Sequence, residues 1–439
     1  MKKYIILISI FLAFMAALLI VTTNLDKQFE TGVSEIAETE DTTGLGNYYL
    51  SENYGGNITN VPGEESTEIT VEPIEPQLDS QLTKDDIDDR AANGITGQNL
   101  AQVMYESTGL FSYDMMRPEC HQLYAEIYIL LSGMYPSTYL CSISLDDIDY
   151  TYNCVLQDHP EIFYIQGYDY KISRFGNIIT KISFQGHYTM DVKKVTDMNR
   201  TIRAYRDRFL AAVSSKATDY EKVKYTYEFI ILNTEYDLEA PENQNMCSVF
   251  AYGKSVCQGY AKAFQYLLGL VGVKCTMVTG YVGDGEAHAW NLVYIDNAYY
   301  YVDPTWGDSS YTGGESNSKA LSSINYDYLL ITTEEICRTH TIDNVIEPPR
   351  CVATESNYFV KEDLYFTTID RRRLKKAFTK AYATNKGILT IKCSDSLCYQ
   401  YMQNELITNQ EIFDYVNVAG DTLSYAMNDD QFTLAFKLH

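Results

Sequence analysis

The stretch VCQGYAKAFQYLLGLVG, residues 256–272, decides the fold. Its large apolar residues recur at spacings of three and four, which predicts a helix with one buried face: Tyr260, Phe264, Leu267, Leu268 and Val271. Gly272 marks its C-terminal end. Cys257 then lies in the first turn, where unpaired N–H groups and the positive end of the helix dipole favour a negatively charged sulfur. A cysteine on a helix is ordinarily a small core residue. This position, with Gly259 two residues on, favours a functional one instead.

Two strand-like runs follow this helix, AHAWNLVYI at 287–295 and AYYYVD at 298–303. A short turn at Asp296-Asn297 predicts that they form a hairpin. If the turn has an even number of residues, His288 and Asp303 lie on the same side of the sheet, one diagonal step apart. The carboxylate then fixes the imidazole and leaves its other ring nitrogen for Cys257. An odd turn would break this relationship.

A thiol, an imidazole and a carboxylate in this arrangement suit nucleophilic acyl transfer. The backbone N–H of Cys257 is the natural first donor to the oxyanion, and a second donor must come from elsewhere. We expect substrate or oxyanion contacts from Tyr236, Gln258 and Trp290. Trp306, by contrast, is expected to pack the sheet against the helix.

Three motifs resemble the signatures of the bacterial transglutaminase-like superfamily, with the papain-like order Cys, His, Asp. They are GKSVCQGYA at 253–261, HAWN at 288–291 and YVDPTWGD at 301–308. Ser255 stands where glycine often precedes the Val-Cys pair. The resemblance covers about residues 216–343. It implies an α+β fold in which the nucleophile helix packs on an antiparallel sheet, with Cys257, His288 and Asp303 as the catalytic triad.

The resemblance also implies a cysteine acyl-transfer enzyme that acts on amide bonds of proteins or peptides. We expect a peptidase or amidase-like activity, because the chain is predicted to be exported and lacks calcium-binding loops. One alternative is a transglutaminase that cross-links proteins, including proteins or peptides of the cell wall. Another is a cell-surface binding module that keeps the fold without turnover. No cofactor is predicted.

The N-terminus carries Lys2 and Lys3 before an unbroken apolar run, residues 4–21. Eighteen helical residues span roughly 27 Å, enough to cross a bilayer core. The run predicts a single transmembrane anchor with a cytoplasmic N-terminus and the folded domains outside the cell. The alternative is a cleaved signal peptide and a secreted protein.

Composition divides the 439 residues into five predicted segments. They are an anchor at 1–23, an acidic flexible linker at 24–96, an N-terminal α/β region at 97–215, the transglutaminase-like domain at 216–343 and a small C-terminal α/β unit at 344–439. Residues 26–96 hold 17 acidic and three basic residues, more than half of the net charge of −25. Such a charge argues against nucleic acid as a partner. The ten cysteines include no CxxC pair, so no metal site of the paired zinc type is predicted.

Overall fold

The computed structural model describes residues 71–309, 321–383, 387–416 and 423–438. The predicted anchor, residues 1–23, and the first part of the predicted linker lie outside the described residues. Within the described ranges, no helix combines the length and the apolar character needed to cross a bilayer. The anchor therefore stays a prediction from the sequence.

Helices and one antiparallel sheet make up the region before the nucleophile helix. Its elements are α1 (Lys84–Ala92), α2 (Gly97–Glu106), α3 (Phe111–Met115), α4 (His121–Ser132), β1 (Thr138–Tyr139), α5 (Leu145–Asp158), β2 (Ile165–Phe175), β3 (Ile178–Tyr188) and α6 (Val192–Ala212). Strand β3 lies between β1 and β2 and runs antiparallel to both. Strands β2 and β3 form a hairpin, and Gly176 occupies its turn with a positive φ of 61°.

The prediction that the flexible linker extends to residue 96 is wrong for its last part, because residues 84–92 form helix α1. A reciprocal capping box between Thr83 and Asp86 supplies hydrogen bonds at its start. Arg90, near its end, is buried and forms an ion pair of 2.7 Å with Glu126 of helix α4. The capping box and this buried ion pair stabilise helix α1. The polar composition of the segment does not predict a helix there.

The central part of the chain places the nucleophile helix on a five-stranded antiparallel sheet. Its elements are α7 (Asp219–Asn233), β4 (Glu235–Tyr236), α8 (Met246–Tyr252), β5 (Lys254–Ser255), α9 (Cys257–Leu270), β6 (Lys274–Val282), β7 (Glu286–Ile295), β8 (Ala298–Val302), α10 (Pro304–Gly307), β9 (Leu329–Ile331), α11 (Thr333–Ile336) and β10 (His340–Ile342). The sheet order is β10-β6-β7-β8-β9, and α9 packs on β6 and β7.

Helix α9 begins and ends where the sequence indicates. It starts at Cys257, and Gly272, with a positive φ of 74°, follows its end. Four residues of its apolar stripe are fully buried and Val271 is half-buried; the four are Tyr260, Phe264, Leu267 and Leu268. Burial of one such side chain contributes about 1.5–3 kcal/mol. This face therefore secures the helix, and Cys257 with it, against the sheet.

The β7–β8 hairpin turns through two residues, Asp296 and Asn297. Both have positive φ, 51° and 61°, as a type I′ turn requires. The register pairs Asn291 with Val302 and continues to place Asp303 opposite Trp290. The turn is thus even, which is the case in which His288 and Asp303 share one side of the sheet.

One continuous cluster of buried apolar side chains runs from Ile95 to Ile346. It includes side chains of the first sheet, of α6 and α7, and of the nucleophile helix. The predicted boundary at residue 215 therefore does not separate two hydrophobic cores. The domain limits themselves stay predictions.

The C-terminal part has a core of its own. Its elements are α12 (Tyr358–Lys361), β11 (Tyr365–Phe366), α13 (Arg371–Tyr382), β12 (Ile388–Cys393), α14 (Ser396–Gln403), a π-helix (Asn404–Thr408), a 3₁₀-helix (Glu411–Asp414), β13 (Ser424–Asn428) and β14 (Thr433–Lys437). The sheet order is β11-β12-β14-β13, with only β11 and β12 parallel. Helix α12 begins after Asn357, whose side chain accepts a hydrogen bond from Phe359 N–H.

Buried polar contacts attach this C-terminal sheet to the segment that leads into β10. Lys392 forms an ion pair of 3.0 Å with Glu335, and Gln431 donates to the Glu335 carbonyl. Asn428 and Thr433 both donate to Asp327. The chain is thus a mixed α+β protein, as predicted, whose C-terminal sheet braces residues 327–338.

Candidate active site

Cys257 lies at the N-terminus of α9, as predicted. No side chain caps this helix, so the N–H groups of its first turn face the site without a competing acceptor. The cysteine is half-buried and packs against Ala261, Met277 and Ala289. An open helix N-terminus beside a partly accessible sulfur suits a nucleophile, and the Cys257 N–H is placed for an oxyanion.

His288, on β7, is buried and contacts both other members of the predicted triad. Its Nε2 lies 2.7 Å from Asp303 Oδ2. The Cys257 side chain is one of the groups that raise the pKa of His288, so it lies close to the ring. Because Nε2 is engaged by Asp303, Nδ1 is the ring nitrogen left for Cys257. The structure thus brings Cys257, His288 and Asp303 together in the order that the sequence predicts.

Asp303 receives four hydrogen bonds and is completely buried. Its Oδ1 accepts from the backbone N–H groups of Thr305 and Trp306, at 2.8 and 3.0 Å. Its Oδ2 contacts the Nε2 atoms of His288 and His340, at 2.7 and 3.1 Å. Burial would raise the pKa of Asp303, but the two histidines outweigh it and lower that pKa. The carboxylate therefore stays ionised and acts as an acceptor.

The two histidines on Asp303 respond to it in opposite directions. Burial tends to lower the pKa of His288, but the charge and hydrogen bond of Asp303, with a contribution from Cys257, raise it above its ordinary value. For His340, burial outweighs the same carboxylate and lowers the pKa. His288 is thus the histidine suited to hold a proton, and His340 is the neutral one.

His340 is the member of the site that the sequence does not reveal. It is the first residue of β10, which pairs antiparallel with β6 and places His340 opposite Val282. Its ring lies among those of Trp290, Trp306 and Tyr328. No motif or spacing singles it out, because only the pairing of β10 brings it to Asp303.

Among the described residues, one group has donor atoms close enough to share a metal ion: His288, Asp303 and His340, within 4.8 Å of one another. Two imidazoles and a carboxylate are a common ligand set. Here, however, both Nε2 atoms lie at hydrogen-bond distance from the same Asp303 oxygen. An ion would have to break both hydrogen bonds, so the geometry is that of a hydrogen-bonded network.

A groove of about 550 Å³ opens over Cys257. Tyr236 and Gln258, both predicted to contact substrate or oxyanion, line it. Its charged side chains are Glu286 and Asp343, both exposed, and no lysine or arginine lines it within the described ranges. The groove is therefore acidic where it approaches the sulfur.

The prediction that Trp290 lines the pocket is wrong. Trp290 is fully buried in a core cluster with Val278 and Leu292, and it is not part of the groove. Its ring stacks beneath that of His288, with centroids 6.0 Å apart. Strand alternation correctly predicts that Trp290 lies on the same side of the sheet as His288. His340 of β10 packs against Trp290 there, so the indole is buried. Trp306 packs against His340 and Tyr328.

Comparisons with known proteins agree with this geometry. Residues 207–304 match the model of the transglutaminase-like superfamily, a segment that contains all three triad residues. Kyphoscoliosis peptidase of Homo sapiens is 29% identical over 169 residues, which cover 34% of this chain and 25% of that protein. The Mus musculus protein is 28% identical over 208 residues, 43% of this chain and 31% of its own length. The chain thus spans about a quarter to a third of these relatives.

A crystal structure described as a TGase resembles 36% of this chain and 47% of its own, with 16% identity and a TM-score of 0.24. A likeness at that score has no weight for the function. The match over residues 207–304 and the meeting of Cys257, His288 and Asp303 carry the assignment. The segment at residues 207–304 is thus similar to the transglutaminase-like superfamily.

Proposed function

We propose that this protein is a cysteine-dependent acyl-transfer enzyme that hydrolyses amide bonds of proteins or peptides. The observation that carries the proposal is Cys257 at an uncapped helix N-terminus, in the same groove as His288, whose Nε2 lies 2.7 Å from Asp303. Seven of the ten cysteines are buried in the core. This sulfur instead borders a groove large enough for several side chains of a peptide.

The reaction follows from the protons in the site. The Cys257 sulfur, its proton held on His288, attacks the amide carbonyl carbon, and the Cys257 N–H donates to the resulting oxyanion. The C–N bond then breaks as Nδ1 of His288 gives its proton to the leaving nitrogen, which leaves a thioester on Cys257. Water attacks the thioester, its proton passes to Nδ1, and the C–S bond breaks to free the acid and restore the sulfur.

Asp303 acts through His288 in both halves of this reaction. As an ionised acceptor it holds a proton on Nε2, so the neutral ring presents Nδ1 as the base. When Nδ1 is also protonated, the same carboxylate stabilises the cation. A second donor to the oxyanion is proposed from Tyr236 or Gln258, both of which border the groove.

The groove favours hydrolysis and a cationic substrate. Cys257 lines the groove and is only partly buried, so water has access to a thioester formed there. Glu286 and Asp343 place negative charge beside the site, which attracts peptides with lysine or arginine near the reacting amide. The relatives are named peptidases, in keeping with this choice.

Transamidation is the second candidate. The same two carboxylates, Glu286 and Asp343, attract a primary ammonium group, which is the acceptor that a cross-linking reaction needs. The two reactions share every step up to the thioester. They differ in whether water or an amine attacks it, so their products distinguish them.

We also propose that the reaction takes place outside the cell membrane. The apolar run at residues 4–21, preceded by two lysines, supports this location. Fractionation of cells that express the full chain tests it, with protease applied to intact cells. Digestion of the folded part from outside is expected, and protection from the protease would contradict the proposal.

The proposed chemistry is tested with an iodoacetamide probe and a peptide mixture. We expect selective labelling of Cys257 that falls strongly in His288→Ala, since the imidazole no longer removes the thiol proton. Peptide products identified by mass spectrometry should be cleaved amides in buffer and amide-linked amines when lysine is added in excess. Equal labelling in both proteins would show a binding module without turnover.

Cys337 supplies a matched control. It is an exposed thiol outside the groove, and burial of part of its side chain raises its pKa. Its labelling should be slow and unchanged by His288→Ala. Cys257→Ser should abolish product formation, whereas Cys337→Ser should leave it intact.

A further inference from the structure

His340 makes a second imidazole contact with the carboxylate of the triad. Its Nε2 lies 3.1 Å from Asp303 Oδ2, the same oxygen that contacts His288. Its Nδ1 lies 2.8 Å from Thr339 Oγ1. Both ring nitrogens are therefore engaged, and the side chain is completely buried.

The tautomer of His340 follows from its partners. Asp303 is ionised and only accepts hydrogen bonds, so the His340 Nε2 carries the proton between them. Burial lowers the pKa of His340, so the ring is neutral and Nδ1 accepts from the Thr339 hydroxyl. The contact is thus that of a neutral donor to a charged acceptor, a strong kind of hydrogen bond.

The surroundings of His340 leave its ring no second orientation. Trp290 and Trp306 lie against it with centroids 4.9 and 4.7 Å away, and Tyr328 lies at 5.8 Å. The titratable groups that face it are Asp303, His288 and the phenol of Tyr328.

We propose that His340 is a positioning residue that fixes the Asp303 carboxylate for the proposed acyl transfer. With His340 in place, two backbone N–H groups hold Oδ1 and two imidazoles hold Oδ2, so the carboxylate has one orientation. Without it, Oδ2 keeps a single donor, and that donor is the histidine that must move protons. His340 therefore aligns His288 through Asp303 and does not touch the substrate.

This inference rests on the proposed function, and its test needs no known substrate. Iodoacetamide alkylates Cys257 by forming a C–S bond as iodide leaves, at a rate that depends on the pairing of sulfur and imidazole. The rate is followed from pH 5 to pH 9 by mass spectrometry of the Cys257 peptide, in wild type, His340→Phe and His340→Gln. Phenylalanine fills the space without a donor, and glutamine places an amide N–H near the position of Nε2.

We expect wild type to react at low pH, where an unpaired thiol does not. Loss of alignment in His340→Phe should slow this low-pH alkylation roughly ten- to a hundredfold, as misplacement of reacting groups by about 1 Å does. His340→Gln should recover most of the rate. A folded His340→Phe protein with the wild-type profile, or a glutamine variant no better than phenylalanine, would overturn the inference.

Two further outcomes separate the possible failures. If wild type itself shows no low-pH reaction, the proposed function fails, and His340 has no pair to align. If His340→Phe does not fold, His340→Asn replaces it, because its shorter amide does not reach Asp303. The low-pH alkylation rate of His340→Gln must then exceed that of His340→Asn for the inference to stand.

Discussion

Asn291 Nδ2 donates to the carbonyl of Ala261 across 3.0 Å, and both residues are fully buried. Asn291 lies three residues after His288 on β7, and Ala261 lies one helical turn after Cys257 on α9. One hydrogen bond thus sets the helix that carries the sulfur against the strand that carries the imidazole.

Replacement of Asn291 by alanine should therefore disturb the site as well as the fold. We expect a loss of about 1–3 kcal/mol in unfolding free energy, because the Ala261 carbonyl is left buried without its donor. Low-pH alkylation of Cys257 should slow as the helix shifts. Asn153→Ala is the control, since that half-buried asparagine donates to the Asp149 carbonyl within helix α5. Equal alkylation rates in wild type and Asn291→Ala would contradict the prediction.

Asp303→Asn tests the tautomer of His288. The amide keeps an acceptor for the N–H groups of Thr305 and Trp306 but removes the charge that holds the proton on Nε2. Turnover should fall about 10³- to 10⁴-fold, as in other triads that lose this carboxylate. Asp327→Asn changes another fully buried carboxylate, one that serves the C-terminal sheet. It should lower stability with little change in the turnover of folded protein, and a comparable loss of turnover there would refute a specific role for Asp303.

The pH dependence of stability follows from the two shifted groups. Asp303 has a lowered pKa. Its contribution to the unfolding free energy is therefore present above about pH 3.9 and is lost as pH falls through the lowered pKa. His288 has a raised pKa. Its contribution to the unfolding free energy is therefore fully present below about pH 6.5 and is lost as pH rises through the raised pKa.

We therefore expect wild type to exceed His288→Gln in unfolding free energy most between about pH 4 and 6.5. Above this range the difference should shrink by at most about 1.4 kcal/mol per pH unit. Urea unfolding at a series of pH values measures it. The exposed His187→Gln provides the comparison, and a difference for His288→Gln that grows above pH 6.5 would have the wrong sign.

Gly259 permits the nucleophile helix to contact the chain's own loop. A Cβ there would lie 1.9 Å from Ser255 Oγ and 2.8 Å from the Asn243 carbonyl. Gly259→Ala should cost about 1–3 kcal/mol by overpacking and should reduce turnover, because Asn243 also lines the groove. Gly269→Ala on the same helix meets nothing within 4 Å and should stabilise by about 0.5–1 kcal/mol. Thermal unfolding of the two variants measures the difference. Equal changes in their melting temperatures would contradict the close approach of Gly259 to the loop.

The acidic groove predicts a charge preference. Glu286→Gln and Asp343→Asn should each lower kcat/KM for lysine-containing peptides roughly two- to fivefold, the effect of one exposed ion pair. High salt should erase the difference, and neutral peptides should show none. Asp169→Asn, an exposed acid on β2, is the control. A loss of the same size for neutral peptides would rule out attraction by charge.

Local pattern was enough to predict the active-site hairpin and the nucleophile helix. The spacing from Tyr260 to Val271 indicates the helix, and the Asp296-Asn297 turn sets the parity that brings His288 and Asp303 to one side. The sequence was less informative where a segment folds only through contacts with residues distant in the chain. Helix α1 lies in a stretch of acidic composition, and it folds because Arg90 meets Glu126, 36 positions away.

By itself, then, the amino-acid sequence determined which three side chains meet, because helix periodicity and strand alternation are local properties that neighbouring residues impose. Only the tertiary structure decided that His340 joins them, that Trp290 lies beneath the histidine and that the groove is acidic. Each of these depends on β10 pairing with β6 across some sixty residues. A contact of that length is set by the packing of the whole sheet, and no local spacing encodes it.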